Sequence, residues 1–521
     1  MGLLVRLQQR LRRVRLVARV PFTNLKTPKH RPGAPLGLPP RERWLELPVR
    51  RAPRLYTSWL DGRPFAHDPD GYDALAVLTP PAWQLSLAAD GRALGEVLAD
   101  LAQPHEHEAF LSELPLLWQN GFVRSPGIQP RAPKGTSERV FNTWIHLTNA
   151  CNLACPYCYI HKDKRHMADH VVSDVLASIA TTAQSGQVDR IHVRYAGGEP
   201  MLRFAAMQAF HAQATELCAQ HGVKFSAAVL TNGAVVPDGA VDWLKAHKVS
   251  ISMSIDGVGA MQDVMRPVVG GGSSFARVQQ GLDRYQQAGI QPYMLITVGD
   301  SNLDGLPELT EFLLNRGLGF RYSLVRDLEW GASVLDDRHG PEHADGRQAA
   351  PTDILSGEPL FRLQKVLGQC YRRIEQHVRA SDGADPSWFR RTHRFCDLDL
   401  WRPLQHACGA GRTYVAIGED GQVSPCQAAL HHPGTQPVAG LSLLQLAKGQ
   451  TQFPLFTRTH GNPDCARCQH KPSCAGGCPL QLYRREGHVD GRSPYCMVYK
   501  AVIPQMVRIA ALELMQAQRR S

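Results

Sequence analysis

The 521-residue sequence predicts an α/β fold: a partial (β/α)6 TIM-like barrel with a smaller domain before it and a cysteine-rich domain after it. Three observations support this prediction. Between residues 139 and 326, apolar strands alternate with amphipathic helices, which predicts a parallel sheet with helices outside. Short strand and helix patterns precede this region. Nine of the 13 cysteines lie from Cys370 onward, which sets the C-terminal part apart.

The predicted barrel has six strands, and its helices lie between them. The predicted strands are Thr143–Leu147, Arg190–Tyr195, Lys224–Leu230, Ser250–Ser254, Gln291–Thr297 and Phe320–Leu324. The predicted helices are Val171–Ala183, Phe204–His221, Ala240–His247, Phe275–Gly289 and Leu306–Gly317. Active sites of such barrels gather at the carboxyl ends of the strands, so motifs at these ends are the candidates for function.

Composition and patterning divide the rest of the chain into segments. They are a basic, Pro-rich segment at 1–49, a small domain at 50–125, a polar linker at 126–138, the barrel at 139–326, a helical connection at 327–395, the cysteine array at 396–498 and a final helix at 499–521. Hydrophobic and charged contents of 43% and 20% are typical of globular proteins. No apolar run approaches the length of a membrane span.

The small N-terminal domain combines two predicted strands, Leu55–Trp59 and Ala74–Leu78, with three predicted helices. The helices are Pro81–Leu87, Leu94–Leu101 and Glu106–Trp118. This order resembles the winged-helix domain that recognises leader peptides in ribosomal-peptide maturation systems, where the peptide adds a strand to a sheet edge. An inert cap on the barrel is the alternative.

Three cysteines, Cys151, Cys155 and Cys158, follow the first barrel strand at the spacing C-x3-C-x2-C. Three thiolates on one loop can hold three irons of a [4Fe–4S] cluster and leave the fourth iron open to a small molecule. The alternative is a zinc knuckle, but zinc sites favour a closed set of four ligands. The spacing therefore favours the cluster.

Further motifs lie at the ends of the next strands. Gly197-Gly198-Glu199-Pro200 follows the second strand, Thr231-Asn232-Gly233 ends the third, and the segment Ser252–Gly257 ends the fourth. Glycines let the backbone approach a ligand closely, and proline stiffens the turn.

The cysteine triplet and the strand-end motifs together resemble the radical S-adenosylmethionine (SAM) enzymes. The resemblance implies that the open iron chelates SAM and that Tyr159 fills the family's aromatic position. It implies a SAM site built from the glycine-rich turn, where Glu199 meets the amino group, together with Asn232 and with Ser254 as the carboxylate ligand. Arg266 and Arg277 are both candidates for the assisting arginine, and Asp256 is the candidate catalytic or substrate-binding residue. Its alternative is a turn or helix-capping aspartate.

A second cysteine array follows, and its seven cysteines and mid-array Gly421 resemble the SPASM extension of radical SAM enzymes that modify peptides and proteins. The resemblance implies two auxiliary [4Fe–4S] clusters, for a total of three. Cys408, Cys426 and Cys478 would bind the first, with Cys396 as its fourth ligand or with an open iron. Cys465, Cys468, Cys474 and Cys496 would bind the second. Two structural zinc sites are the alternative.

These features predict an enzyme that forms a 5′-deoxyadenosyl radical and abstracts hydrogen from a ribosomally made precursor peptide with a leader, most simply to crosslink it. One alternative is formylglycine formation on a sulfatase. Sulfatase-activating members carry an aspartate where this chain has Gln427, and this departure counts against that activity. Epimerisation is the other alternative, with Cys218 or Cys370 as hydrogen donor.

Partners and compartment follow from the same reasoning. The reaction implies an electron donor such as flavodoxin or ferredoxin. The formal net charge of +11 does not choose between an acidic peptide and nucleic acid, but no nucleic-acid module is found. The segment Met1–Arg19 lacks the features of a signal peptide. We therefore expect a cytoplasmic enzyme without a membrane or nucleic-acid partner, and its clustered cysteines are expected to bind metal. A non-catalytic iron–sulfur carrier would not need the SAM motifs.

Overall fold

The computed structural model describes residues 38–71, 74–126, 138–326, 357–381, 389, 393–430, 435–449, 462–486, 489 and 491–519. Most of the predicted basic segment at 1–49 and most of the predicted linker at 126–138 lie outside these ranges. Within them, no helix is long and apolar enough to cross a bilayer.

The N-terminal domain contains two antiparallel three-stranded sheets, ordered β5-β1-β6 and β2-β3-β4. Its strands are β1 (Pro48–Arg51), β2 (Tyr56–Leu60), β3 (Arg63–His67), β4 (Leu75–Val77), β5 (Asp90–Ala93) and β6 (Val123–Arg124). Its helices are α1 (Pro80–Ala88), α2 (Leu94–Leu101), α3 (His107–Leu111) and α4 (Leu114–Gln119). Most of their apolar side chains form a core of their own, while Leu60, Phe65 and Val77 of β2, β3 and β4 pack into the core of the barrel. The resemblance to a winged helix stays a prediction.

Two differences from the predicted N-terminal elements have physical causes. The helix predicted over Glu106–Trp118 is split in two, because Pro115 lacks an amide hydrogen and fits only the first turn of a new helix. Strand β3 was not predicted. It pairs with β2 across Asp61-Gly62, whose positive φ angles of 50° and 75° suit a two-residue hairpin turn.

Six parallel strands form the centre of the molecule, as predicted. They are β7 (Val140–His146), β8 (Arg190–Ala196), β9 (Lys224–Thr231), β10 (Ser250–Ser254), β11 (Tyr293–Val298) and β12 (Phe320–Leu324). The helices between them are α5 (Asp169–Gln184), α6 (Phe204–Gln220), α7 (Ala240–Ala246), α8 (Ala260–Met265), α9 (Ser274–Gln287) and α10 (Leu306–Asn315). Only α8, which follows the fourth strand, was not predicted. The strand order β12-β11-β10-β9-β8-β7 follows the chain. Because the strands are parallel, all of their carboxyl ends lie at one edge of the sheet.

The central sheet continues beyond both ends of this six-stranded unit. Strand β13 (His393–Phe395) pairs in parallel with β12. On the other side, β14 (Tyr414–Ile417) pairs in parallel with β7, and β15 (Gln422–Ser424) and β16 (Gln436–Pro437) follow as an antiparallel meander. Strands β14 and β15 form a hairpin around Gly421, and β14 pairs with the first barrel strand.

The remaining helices surround this sheet. They are α11 (Gly357–Ala380), α12 (Leu443–Gly449), α13 (Pro463–Arg467), α14 (Lys471–Cys474), α15 (Pro479–Glu486) and α16 (Cys496–Gln518). Helix α16 packs on α11 and on strands β2 and β4, so the last helix returns onto the body of the protein. Cys218 and Cys370 are fully buried in the main core.

Candidate active site

The loop that carries the cysteine triplet leaves β7 and is held by the glycine-rich turn after β8. The amide of Gly198 donates to the carbonyl of Thr148 at 2.7 Å, and the amide of Glu199 donates to that of Ala150 at 2.9 Å. A Cβ atom at Gly197 would lie 2.3 Å from the oxygen of Thr148, and one at Gly198 would lie 2.3 Å from that of Ala150. Glycine is therefore required because the backbone of the cysteine loop passes directly over this turn.

The three thiols share one positively charged environment. Burial raises the pKa of the Cys151 thiol to about 12 and also raises that of Cys155, while the ammonium of Lys162 opposes this rise at both. Lys162 donates to the carbonyl of Leu153 at 2.7 Å. Burial would lower its pKa, but the charges of all three thiols outweigh burial and raise it.

These residues fit an iron–sulfur cluster. A [4Fe–4S]2+ core with three thiolates carries a net charge of about −1, which a nearby ammonium stabilises. Each thiolate of such a cluster binds a different iron. Within the described ranges, no three Cys, His, Asp or Glu side chains converge closely enough for a single metal ion.

Glu199 connects the ends of β8 and β9 beneath the cysteine loop. Its fully buried carboxylate accepts from the hydroxyl of Thr231 at 2.8 Å and from the amide of Asn232 at 2.7 Å. Burial raises the pKa of Glu199 to about 7. The side chain of Asn232 donates to Asn152 Oδ1 at 2.8 Å and to the sulfur of Cys151 at 3.7 Å. Glu199 and Asn232 thus lie beside the predicted cluster, as the predicted SAM site requires.

Asp256 and Arg266 form a buried ion pair at the end of the fourth strand. Arg266 Nε lies 2.6 Å from Asp256 Oδ2, and the amide of Thr297 donates to Oδ1 at 2.7 Å. The hydroxyl of Tyr157 also donates to this carboxylate, and the Arg266 guanidinium lies 5.5 Å from the centroid of the Tyr157 ring. Asp256 therefore bonds to the cysteine loop through Tyr157, to the end of α8 through Arg266 and to β11 through Thr297. Its predicted catalytic role stays a prediction.

The structure separates the two candidate arginines. Arg266 is 8% exposed, and its charge lowers the pKa of the Cys155 thiol, which burial raises. Arg277 is exposed on α9. Ser254 is partly buried at the last position of β10, so it lies at the carboxyl end of the strands, as Arg266 does. Arg266 is thus the arginine placed to meet a ligand of the cluster.

Tyr157, Tyr159 and Pro200 complete the site. Tyr159 is partly buried. Burial raises the pKa of its hydroxyl, and the charges of Cys158 and Cys426 raise it further. Its ring centroid lies 6.0 Å from that of His146. Pro200 is buried and begins a short 3-10 helix that fixes the turn after Glu199. Tyr157 and Lys162 were missed by sequence reasoning. The one available signal was the position of Tyr157 between two cysteines of the triplet.

Residues 145–313 match the family model of the radical SAM superfamily. The matched range contains the cysteine triplet, Glu199, Asp256 and Arg266, which the structure brings together. The chain is a radical SAM enzyme.

Sequence relatives cover most of this radical SAM chain. It is 25% identical over 387 residues to mycofactocin maturase MftC of Mycolicibacterium smegmatis, which covers 71% of this chain and 86% of that protein. It is 25% identical over 345 residues to the serine-type anaerobic sulfatase-maturating enzyme of Klebsiella aerogenes, covering 64% of this chain and 78% of that enzyme. Its fold is similar to that of anSMEcpe with bound AdoMet and a peptide, at 17% identity and a TM-score of 0.53 over 71% of this chain and 99% of the other.

In the structure of this radical SAM enzyme, the cysteines of the array lie in two groups. Burial and then the charges of Cys478 and Cys408 raise the pKa of the Cys426 thiol to about 12, so these three interact. Cys396 is buried at the end of β13, and its sulfur accepts from the amide of Leu324 at 3.3 Å. Its role as fourth ligand of the first auxiliary cluster stays a prediction.

The second group lines one cavity, into which Cys465, Cys468, Cys474 and Cys496 all face together with Lys471, Arg492 and Lys500. Four thiols with cations around them fit an auxiliary cluster, whose net charge with four thiolates is about −2. Between Cys474 and Cys478, Ala475, Gly476 and Gly477 have positive φ angles of 43°, 84° and 79°. This left-handed run reverses the chain and explains how two cysteines so close in sequence belong to different groups.

Proposed function

We propose that this radical SAM enzyme is a maturase with a SPASM-type extension that forms an intramolecular crosslink in a ribosomally made peptide. The observation that carries the proposal is the pairing of β14 with β7. Strand β15, which Cys426 follows, pairs with β14, so a single strand separates it from β7, which the cysteine triplet follows. The charge of Cys426 also acts on Tyr159, the residue after the triplet. A substrate radical formed at the barrel would therefore lie near the first auxiliary cluster.

The chain's own residues would bind and orient the reactants. Cys151, Cys155 and Cys158 would hold the SAM-binding cluster, and the other two cysteine groups would hold the auxiliary clusters. When bound, the reduced cluster and SAM supply a 5′-deoxyadenosyl radical that takes hydrogen from the peptide. Glu199 would accept from the amino group of SAM, and Ser254 and Arg266 would bind its carboxylate. Holding the target carbon near the radical and excluding water would then govern the outcome.

Formylglycine formation is the alternative that the sulfatase-maturating relatives suggest, and Gln427 opposes it. The amide oxygen of Gln427 accepts from the hydroxyl of Tyr414 at 2.7 Å. The side chain is therefore held in place, but an amide cannot remove a proton from the target residue. We expect crosslinking to be favoured over this reaction.

Epimerisation is disfavoured by the position of the spare thiols. It requires a hydrogen donor near the substrate radical. Cys218 and Cys370 have no exposed surface and lie in the main core. Among the described residues, the other cysteines all belong to the predicted cluster sites.

We also propose that the N-terminal domain binds the leader of the precursor peptide. Its sheet β5-β1-β6 ends in the short strands β5 and β6, and an extended peptide can add to such an edge. The domain contacts the array directly, because Arg54 donates to the carbonyl of Cys468 at 3.2 Å and to that of Ala466 at 3.0 Å. A flavodoxin or ferredoxin in the cytoplasm would supply the electrons.

The test uses anaerobically reconstituted protein with SAM and dithionite. We expect 5′-deoxyadenosine and methionine, and about 12 irons per chain for three clusters. The peptide encoded beside this gene would then be co-expressed with the enzyme and examined by mass spectrometry. A crosslink removes two hydrogens from the peptide, whereas epimerisation leaves its mass unchanged. If the peptides from all neighbouring reading frames remain unmodified, the proposal is contradicted.

A further inference from the structure

We propose that Arg326 is a positioning residue that presents its guanidinium to the first auxiliary cluster and raises the reduction potential of that cluster. This inference rests on the proposed function, because it requires that Cys408, Cys426 and Cys478 hold a cluster. Arg326 follows β12, the last strand of the barrel, and therefore lies at the carboxyl side of the sheet, between the barrel and the array.

The end of β12 is fixed to the array by two hydrogen bonds. The carbonyl of Val325 accepts from Gln481 Nε2 at 3.1 Å and from the hydroxyl of Tyr495 at 3.3 Å. Gln481 lies three residues after Cys478, and Tyr495 directly precedes Cys496. The backbone before Arg326 is therefore anchored to the segments that carry ligands of both predicted auxiliary clusters.

The side chain of Arg326 is anchored by one arm only. Its Nη2 donates to Asp397 Oδ1 at 2.9 Å, and the other oxygen of Asp397 accepts from the hydroxyl of Tyr499 at 3.1 Å. Among the described residues, Arg326 Nη1 is buried and has no hydrogen-bond partner. Leaving a buried guanidinium nitrogen without a partner is unfavourable. The described part of the chain thus supplies no acceptor at this position.

The thiols of the first group interact electrostatically with the side chain of Arg326. Burial would lower the pKa of Arg326, but Asp397, Cys478 and Cys396 outweigh burial and raise it. In return, the charge of Arg326 opposes the rise that burial causes in the pKa of the Cys408 and Cys426 thiols. A thiolate or sulfide of the cluster would supply the acceptor that Nη1 lacks.

A cation and a hydrogen bond at this position have a defined effect on the cluster. Reduction adds one negative charge, which a guanidinium stabilises, and hydrogen bonds to sulfur also raise the potential of an iron–sulfur cluster. Asp397 holds the guanidinium but also offsets part of its charge. The hydrogen bond from Nη1 and the remaining positive charge therefore both raise the reduction potential of the cluster.

The test compares Arg326→Lys and Arg326→Gln by iron content and by redox titrations followed by EPR. Arg316→Gln is the matched control, since Arg316 lies before the start of β12, pairs with Asp283 at 2.6 Å and has a side chain 24% exposed, against 25% for Arg326. We expect the potential of one auxiliary signal to fall in Arg326→Gln and to fall less in Arg326→Lys. The other two signals and the control are expected to match the wild type.

Each outcome has one meaning. An unchanged potential in Arg326→Gln with full iron content would overturn the inference. If Arg326→Gln loses four irons, retention of the cluster by Arg326→Lys supports a role of the charge, and loss in both variants shows a purely structural role and overturns it. If a variant with Cys408, Cys426 and Cys478 all replaced by alanine has the same iron content as the wild type, the proposed auxiliary cluster is absent and the proposed function fails separately.

Discussion

The two cysteine regions of this enzyme are built in opposite ways. The triplet lies within the eight residues from Cys151 to Cys158, and neighbouring parallel strands fix its loop through backbone carbonyls and the buried side chains of Glu199 and Asp256. The array is spread from Cys408 to Cys496 over short strands, turns and helices of a few residues. The comparison indicates that the barrel forms its site before any cluster binds, whereas the array needs its clusters to reach a stable fold.

The strongest test of this difference between the two regions is to replace Cys151, Cys155 and Cys158 together by alanine. We expect SAM cleavage to fall below detection while about two-thirds of the iron remains, because two of three clusters are untouched. Iron and sulfide content and the yield of 5′-deoxyadenosine measure the effect. Loss of all iron would show that the two regions do not assemble independently. Cys370→Ala, in the core, is the control that should keep both iron and activity.

The next largest effect is expected from the buried ion pair behind the triplet. Asp256→Ala leaves the Arg266 charge buried without its partner, which typically destabilises by about 3–5 kcal/mol. Asp283→Ala removes a more exposed pair with Arg316 and should cost less than about 1 kcal/mol. Urea unfolding of the cluster-free protein gives both values. Equal effects would mean that the barrel site is not held together in the absence of its cluster.

A third prediction concerns pH. The folded protein keeps a proton on Glu199 up to about pH 7, whereas the unfolded chain releases it near the ordinary value of 4.5. Stability of the cluster-free protein should therefore fall as pH rises from about 4.5 to 7, by up to about 1.4 kcal/mol per pH unit from this group. Glu199→Gln should remove this part of the slope in urea midpoints measured across the range. A slope unchanged by the substitution would contradict the prediction.

The smallest effect is expected where the two regions meet. Asn149, at the start of the cysteine loop, donates to Glu419 of the β14–β15 hairpin at 2.7 Å, and Arg165 lies 3.4 Å from the same oxygen. A double-mutant cycle with Asn149→Ala and Glu419→Gln should give a coupling energy of about 0.5–3 kcal/mol. Additive effects on unfolding would show that the regions are joined through β7 and β14 alone.

The sequence was most informative where structure is local. Apolar residues occupy alternate or successive positions in the six barrel strands, and the turns after them carry residues with a clear chemical use, so both were predicted. The pairing of β14 with β7 brings together residues about 270 positions apart, for example Ile145 and Ile417, and no local pattern encodes it.

The same limit applies within the site. Arg266 and Arg277 lie close in the chain, and only the position of α8 and α9 shows which of them is buried beside the cysteine loop. Tyr157 and Lys162 were missed because their roles depend on contacts with Asp256 and Leu153 rather than on spacing. Asp397 was missed for the same reason.

The extension of the central sheet has a consequence for solubility. A parallel sheet that ended at β7 and β12 would present two rows of unpaired backbone groups, which act as templates for the strands of other molecules. Here β13 and β14 cover both rows, and the outermost strands of the described sheet, β13 and β16, are only three and two residues long. The array and the connection before it thus shield the barrel against edge-to-edge aggregation, and deleting the array, which removes β14, should make the barrel self-associate.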